Sequence, residues 1–407
     1  MKKIILIIGL FIISGISQAQ WIKQLSPLHP VRDIEFINRY TGWACGENFI
    51  YKTTDGGVNW IMQPNPAVAS INKIFPLNSD TVYAVGDWTI LKTTNGGENW
   101  IGIRAGGPNS GFAILEGAYF INEQTGWLCG SVTIMKTTNG CQTFDSARID
   151  GNMHDIYFKD SLNGVMVGEG VIFKTTNGGV NWFRGNVNSV TYRNPFLYRV
   201  SFINDLTGFT CGFTNVVFKT TDYGTNWDSI GYVDTINSPV VTYCIEFADS
   251  IVGYAGSSNK LSKTTDGGIT WKDQYQSVPG YVRSIYAYSD SIVWLCGFKK
   301  ILFTETGGQV NINQINSSIP ESFKLHQNYP NPFNPITKIR IEIRKTELIK
   351  LVIYDNLGRE IKEIINKKLE PGLYEAEWNA DNNSSGIYFY TLYTENFIET
   401  KKMMLVK

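Results

Sequence analysis

Histidine is scarce in this chain. His29, His154 and His326 are its three histidines, and none falls at a metal-ligand spacing. No Gly-x-Ser-x-Gly elbow and no phosphate-cradling glycine loop is present. A metal, a nucleotide cofactor and a serine-hydrolase centre are therefore not expected. Net charge is also missing: Lys+Arg and Asp+Glu are 36 each. That removes the electrostatic reason to expect nucleic acid or an anionic membrane as partner. Long apolar runs stop early. After Ile13 no segment has 18 consecutive apolar residues, so no transmembrane segment is expected. Sustained helical periodicity is lacking throughout.

The one apolar run, Ile4 to Ile13, follows Lys2 and Lys3 and precedes Ser17-Gln18-Ala19. This is the layout of a secretory signal over residues 1–19, with cleavage expected to leave Gln20 first. The alternative, a membrane anchor, needs a longer run to cross ~30 Å of hydrocarbon. Six cysteines in an exported chain invite a disulfide reading. Their positions argue against it. Cys45, Cys129, Cys211 and Cys296 occupy one repeated slot before a glycine, which other repeats fill with Val85, Val167 and Ala255. A slot shared by Cys, Val and Ala is a small buried apolar site. Free thiols are expected, with no bond between Cys141 and Cys244.

What the chain has is repetition. Lys52-Thr-Thr-Asp-Gly-Gly-Val-Asn-Trp60 recurs at Lys92 to Trp100, Lys174 to Trp182, Lys219 to Trp227 and Lys263 to Trp271. A weaker copy runs from Lys136 to Phe144, and a seventh, Phe303 to Gly308, lacks the aromatic. Each interval holds four short β-prone runs bounded by turn residues, as in Asp33 to Ile37, Gly42 to Gly46, Asn48 to Lys52 and Asn59 to Met62. The aromatic positions 60, 100, 144, 182, 227 and 271 are 38 to 45 residues apart, a period that fits a four-stranded propeller blade. Asp55, Asn95, Asn139, Asn177, Asp222 and Asp266 suit side-chain bonds to their own turn. Trp60, Trp100, Trp182, Trp227 and Trp271 then fill the spaces between blades. Trp21-Ile-Lys-Gln24 looks like Trp60-Ile-Met-Gln63, so the N-terminal strand is expected to complete the seventh repeat and close the ring.

The motif resembles the Asp-box, or bacterial neuraminidase repeat, of β-propellers. In that family it is a fold staple away from the ligand mouth, so these Asp and Asn residues are not expected to be catalytic. The frame Thr-Gly-Trp…Cys-Gly…Lys-Thr-Thr-Asp-Gly-Gly-x-x-Trp also resembles the photosystem II assembly and stability factor family. That likeness implies a non-enzymatic binding scaffold. The fold expected is all-β: a seven-bladed propeller over residues 20–315, a linker over 316–322, and a small Ig-like sandwich over 323–407.

The last segment contains Gln327-Asn-Tyr-Pro-Asn-Pro-Phe-Asn-Pro335, Val352-Ile-Tyr-Asp-Asn-Leu-Gly358, Pro371-Gly-Leu-Tyr374, Ser385-Gly-Ile-Tyr-Phe-Tyr390 and Lys401-Lys-Met-Met-Leu-Val-Lys407. These residues resemble the type A sorting domain of the type IX secretion system. The resemblance implies the type IX machinery as partner. It also implies passage through the periplasm to the outer-membrane surface or beyond, with the tail cleaved or exchanged for a surface attachment.

Propeller ligands usually meet the face shared by the strand 4–1 and 2–3 loops. Aligning the repeats puts Arg32, Asn72, Glu116, His154, Tyr198, Tyr243 and Arg283 at the start of each first strand. A second ring follows the strand-2 glycine: Glu47, Asp87, Ser131, Glu169, Phe213, Ser257 and Phe298. Long connections add Arg104, and Arg184, Tyr192, Arg193, Phe196 and Arg199. Arginine with aromatics suits recognition of a glycan, a peptide or an envelope protein. The rival reading is a glycoside hydrolase, which needs two carboxylates across the scissile bond. Glu47 and Asp87, with Glu169 further round, are the candidates. A sialidase is disfavoured by the missing Arg-Ile-Pro lead-in and by the seventh repeat.

Overall fold

A computed structural model describes residues 21–407, apart from 67–68, 104–113, 189–194, 214, 235–239, 259, 276–279, 306, 308–311 and 381–382. The chain divides into two compact units, Trp21–Gly308 and a second that includes Gln309–Lys407. All regular elements among the described residues are strands. Among the described residues no helix is long and apolar enough to cross a membrane.

Among its described residues, unit Trp21–Gly308 contains seven sheets, one per repeat, six of them wholly antiparallel and the fifth extended by a parallel strand, Asn186–Asn188. The first sheet runs Val31–Phe36, Gly42–Gly46, Phe49–Thr53 and Ile61–Met62. The first strands of the other six are Ile71–Pro76, Leu115–Phe120, Met153–Phe158, Leu197–Phe202, Thr242–Phe247 and Val282–Ala287. Each first strand packs against that of the next sheet, and the seventh packs back against the first. The sheets thus form a closed ring around an axis, the arrangement of a propeller.

The core is divided among the gaps between sheets. Trp43, Cys45 and Ile50 of the first sheet pack with Ile71, Ile74 and Leu91 of the second. Equivalent clusters fill the other gaps, including the one joining the seventh sheet to the first. Trp60, Trp100, Trp182, Trp227 and Trp271 each lie in such a cluster, and Phe144 takes the place in the third repeat. Gly42 explains the Thr-Gly-Trp frame: a Cβ there would meet the Phe36 ring at 2.4 Å. The six cysteines are buried and free.

Closure uses the N-terminal segment. Ile22–Leu25 pairs antiparallel with Lys300–Thr304 as the outer strand of the seventh sheet. Trp21 is buried between the sixth and seventh sheets, among Tyr254, Leu261 and Val282. It occupies the aromatic place that the seventh repeat leaves open.

The repeated turn has a shared hydrogen-bond scheme. Asp55 Oδ1 accepts from Asn59 N at 2.9 Å and from Thr53 Oγ1 at 2.8 Å. Thr53 Oγ1 accepts in turn from Gly57 N at 2.8 Å. Gly57 has φ 90°, a left-handed conformation that glycine adopts without steric cost. Asn95, Asn139, Asn177, Asp222 and Asp266 accept from the backbone four residues on in the same way.

The remaining residues form two four-stranded sheets around one core that includes Phe333, Ile341, Leu351, Trp378 and Tyr390. Ile312–Asn316 pairs with Gly372–Asn379, so it belongs to this unit and not to the repeats. The composition change at 315 therefore lags the structural boundary. The Pro-rich entry is pinned by Asn328, which is buried and donates to Pro330 O at 3.0 Å and Thr337 Oγ1 at 2.8 Å.

Candidate functional site

The start of every first strand faces one end of the axis. Asn72, Glu116, His154, Tyr198, Tyr243 and Arg283 line a single small pocket of about 10 Å³ together with Arg199. Arg32 joins the ring through Asn72, donating to its Oδ1 at 2.9 Å. His154 Nδ1 lies 3.0 Å from Glu116 Oε2, and Arg283 lies 3.8 Å from the same oxygen. Burial pushes the Glu116 carboxyl up, but the hydrogen bond and charge of His154 and the charge of Arg283 prevail and hold it below its usual value.

The second ring stands beside the first. Glu47 is 3.3 Å from His29 Nδ1 and 3.6 Å from Arg32. Asp87 accepts from Asn72 Nδ2 at 3.0 Å, and Glu169 accepts from Asn152 Nδ2 at 3.1 Å. Each bridges to the backbone before the next sheet's first strand, at Ser70, Ile114 and Phe196. The carboxylates therefore cluster over the first four sheets. Over the last three the rim is aromatic. Tyr198 and Tyr243 have centroids 5.9 Å apart, Tyr243 and Tyr281 5.7 Å, and Tyr281 and Phe298 6.3 Å. Arg283 lies over the Tyr243 ring at 5.8 Å. Phe196, Phe213 and Phe298 are exposed, as is Trp88 beside Asp87.

Of the expected binding arginines, Arg184 is elsewhere and Arg199 lines the ring's pocket from the axis. Arg184 is on the outer strand Phe183–Arg184 of the fourth sheet, over the Phe173 ring. Arg199 is turned into the axis, where its side chain is 13% exposed. Arg104, Tyr192 and Arg193 lie outside the described residues. The turn residues Asp55, Asn95, Asn139, Asn177, Asp222 and Asp266 serve their own turns, as above.

Below the rim lies a charged layer that the sequence reading did not single out. Asp33 has no exposed surface, yet it bonds to four other groups. Arg199 Nη2 is 2.7 Å from Asp33 Oδ1, and Ser284 Oγ donates to the same oxygen at 2.7 Å. Ile74 N donates to Oδ2 at 3.0 Å, and Lys73 Nζ lies 3.3 Å from it. Lys73 is also 2.6 Å from Glu35. Asp155 accepts from Val200 N at 3.1 Å and lies 3.8 Å from Arg199. Burial raises the Asp33 carboxyl, but Lys73 and Arg199 outweigh it and the net shift is downward. For Glu35 burial prevails over Lys73, and its pKa is raised. The available signal was a run of polar residues, Arg32-Asp33 and Glu35, inside a strand otherwise made of Val31, Ile34 and Phe36.

Past that layer the axis widens into a cavity of about 260 Å³, lined in part by Glu35, Phe75, Tyr119, Tyr157, Ser201 and Glu246. Among the described residues no group of three His, Cys, Asp or Glu could hold a metal ion.

Residues 327–407 match the secretion system C-terminal sorting domain. Residues 146–238 match the photosynthesis system II assembly factor YCF48. No curated protein matches the chain. Among solved structures, YCF48 bound to D1 peptide is 20% identical with a TM-score of 0.59, covering 70% of this chain and 97% of that one. YCF48 from Cyanidioschyzon merolae is 17% identical with a TM-score of 0.57, covering 70% and 98%. An ancestral GH74 enzyme is 11% identical with a TM-score of 0.55, covering 95% of this chain and 63% of that one. At these identities the likeness is one of fold. The chain is thus a propeller similar to YCF48 that ends in a C-terminal sorting domain, which implies secretion by the type IX system.

Proposed function

We propose that this protein is a secreted or surface-displayed seven-bladed Asp-box propeller that acts by binding a partner across its rim. Its Ig-like tail would be the address read by the type IX machinery. The observation that carries the reading is the aromatic arc from Tyr198 through Tyr243 and Tyr281 to Phe298. Exposed aromatics beside arginine are the usual anchors of recognition surfaces. The pocket inside the ring, about 10 Å³, is far below the ~300 Å³ of a small-molecule site. A partner would therefore lie over the rim and not inside it. Glycans, peptides and envelope proteins all fit that description. A peptide is the first class to try, because a similar propeller is solved with a peptide bound.

The second reading is a glycoside hydrolase using Glu47 and Asp87, with Glu169 as the other candidate. It is favoured by their matching places on the rim and by a fold shared with an ancestral GH74 enzyme. Glycan and peptide arrays with the purified mature chain, paired with a reducing-sugar release assay, separate the two. Binding without release, lost in Tyr243→Ala and Phe298→Ala, supports recognition. Release that disappears in Glu47→Gln or Asp87→Asn replaces it with the hydrolase. No binding to either array by the folded chain overturns recognition of glycans and peptides.

A further inference from the structure

Seven residues stand four places after the first residue of each first strand: Glu35, Phe75, Tyr119, Tyr157, Ser201, Glu246 and Tyr286. The first six line the axial cavity, at the end away from the rim. The aromatic members follow one another round the axis. Phe75 and Tyr119 have centroids 5.1 Å apart, and Tyr119 meets Tyr157 edge-on at 5.1 Å. Tyr286 belongs to the seventh sheet, between the sheets that carry Glu246 and Glu35. The ring is therefore an aromatic arc from Phe75 to Tyr157, followed by Ser201 and by two carboxyl groups with Tyr286 between them.

The charge inventory of this axis does not balance. Asp33, Glu35, Asp155 and Glu246 face two cations, Lys73 and Arg199. Both cations are committed. Lys73 is shared by Asp33 and Glu35, and Arg199 by Asp33 and Asp155. Glu246 is hydrogen-bonded to Ser201 and lies in no ion pair among the described residues. A half-buried carboxyl group with no ion-pair partner carries a desolvation cost that a proton or a ligand would relieve. Burial and the charge of Glu35 push its pKa up to about 8.

An aromatic arc with a carboxylate beside it is the chemistry that recognises an organic cation: the rings offer their negative faces and the carboxylate offers charge. A metal ion would need a denser set of oxygen or nitrogen ligands. The cavity of about 260 Å³ is below the ~300 Å³ of drug-sized sites, so the fitting guest is a single alkylammonium group. We propose that the axial cavity is a binding site for a primary ammonium group, held by Glu246 and Glu35 beside the aromatic arc of Phe75, Tyr119 and Tyr157. The group could be a free amine or the side chain of a lysine reaching in from a partner. The site is separate from the rim and stands whether or not the rim binds anything.

The test uses the full mature chain, titrated calorimetrically at pH 8 with butylammonium and, as a neutral isostere, butanol. Saturable one-to-one binding of butylammonium is expected, at least about tenfold tighter than butanol, since a desolvated cation–π contact is worth ~1–2 kcal/mol. Glu246→Gln should weaken it about tenfold or more. Tyr119→Leu, which removes a ring and keeps the charges, should weaken it severalfold, so the site remains testable if one variant folds poorly. A pentapeptide with a central lysine decides the source: its binding points to a partner's side chain, and its exclusion while butylammonium binds points to a free amine. Butylammonium binding no tighter than butanol, or unchanged in both variants, overturns the proposal.

Discussion

Arg199 reaches across the axis to Asp33, its Nη2 2.7 Å from Oδ1, and so ties the fifth sheet to the first. Asp33 also receives Ser284 from the seventh sheet and Ile74 N from the second. One carboxylate thus joins four sheets that lie far apart in the chain. Arg199→Met leaves a fully buried carboxylate with Lys73 as its remaining cation. It is expected to cost ~3–5 kcal/mol, because breaking a buried pair strands a charge. Adding Asp33→Asn should recover part of that loss in a double-mutant cycle. Urea unfolding measures both; a cost under ~1 kcal/mol in the single variant would show that the pair does not hold the ring.

Trp21 and the strand after it close the ring, so their loss should have two separable effects. Trp21→Ala empties a buried site between the sixth and seventh sheets and should cost ~3–5 kcal/mol. Deleting residues 21–25 additionally uncovers the edge of Lys300–Thr304. An uncovered edge strand pairs with other chains. Light scattering should therefore rise for the deletion and stay low for Trp21→Ala at temperatures where both remain folded.

The repeated turns predict a tolerance rule. Asp55→Asn should change the melting temperature little, because Asn95, Asn139 and Asn177 make the same backbone bond at 2.9–3.0 Å. Asp55→Ala removes the acceptor for Asn59 N and should cost ~1–2 kcal/mol. Neither should alter partner binding, since the Asp55 side chain bonds only within its own turn. A thermal melt combined with a binding titration checks both halves.

The seven repeats and the rim were legible because their residues lie at nearly fixed distances from a repeated turn frame, and counting along the chain is enough to align them. Six residues so aligned line one pocket. The axial layer was not legible because it depends on a bulge. In each first strand the pairing shifts between its first and third residues, as at Val31/Asp33 and Leu197/Arg199. A bulge places two residues opposite one and re-aims side chains. Simple alternation would put Asp33 and Arg199 on the face away from Arg32 and Tyr198. Their bonds across the axis show otherwise. Arg184 was misplaced for a different reason: Phe183–Arg184 is an outer strand, but a long connection after it reads as rim loop.

The tail should be separable from the propeller in export. Asn328→Ala removes the buried amide that donates to both Pro330 O and Thr337 Oγ1 and leaves Thr337 Oγ1 donating to Pro330 O, at ~1–3 kcal/mol. The sorting domain, residues 327–407, should then be destabilised while the propeller is not. Cell fractionation should show less secreted chain and more periplasmic chain, the latter still giving the native melting transition of the repeats. Undiminished secretion of a chain whose tail is shown to be unfolded would detach export from the fold of this domain.

Glu246 makes the stability of the propeller depend on pH with a definite sign. Its carboxyl is raised from 4.5 to about 8 by burial and by the charge of Glu35. Between those values the folded chain keeps a proton that the unfolded chain releases. Folded stability therefore falls as pH rises through this window and levels off above pH 8. Glu35, also raised, acts in the same direction; Asp33, held low, acts in the opposite direction and at lower pH. Lys73 and Arg199, both held above their ordinary values by the carboxylates beside them, stay charged across the window and set a constant background. Glu246→Gln removes one titration and nothing else, so its melting temperature should match the parent near pH 5 and exceed it by several degrees at pH 9. Butylammonium should close that gap by stabilising the parent at pH 9, because the cation neutralises the carboxylate that the variant lacks. Scanning fluorimetry at pH 5, 7 and 9 measures it. A difference between parent and variant that is constant with pH would mean that Glu246 is charged throughout, with a cation other than a proton already beside it.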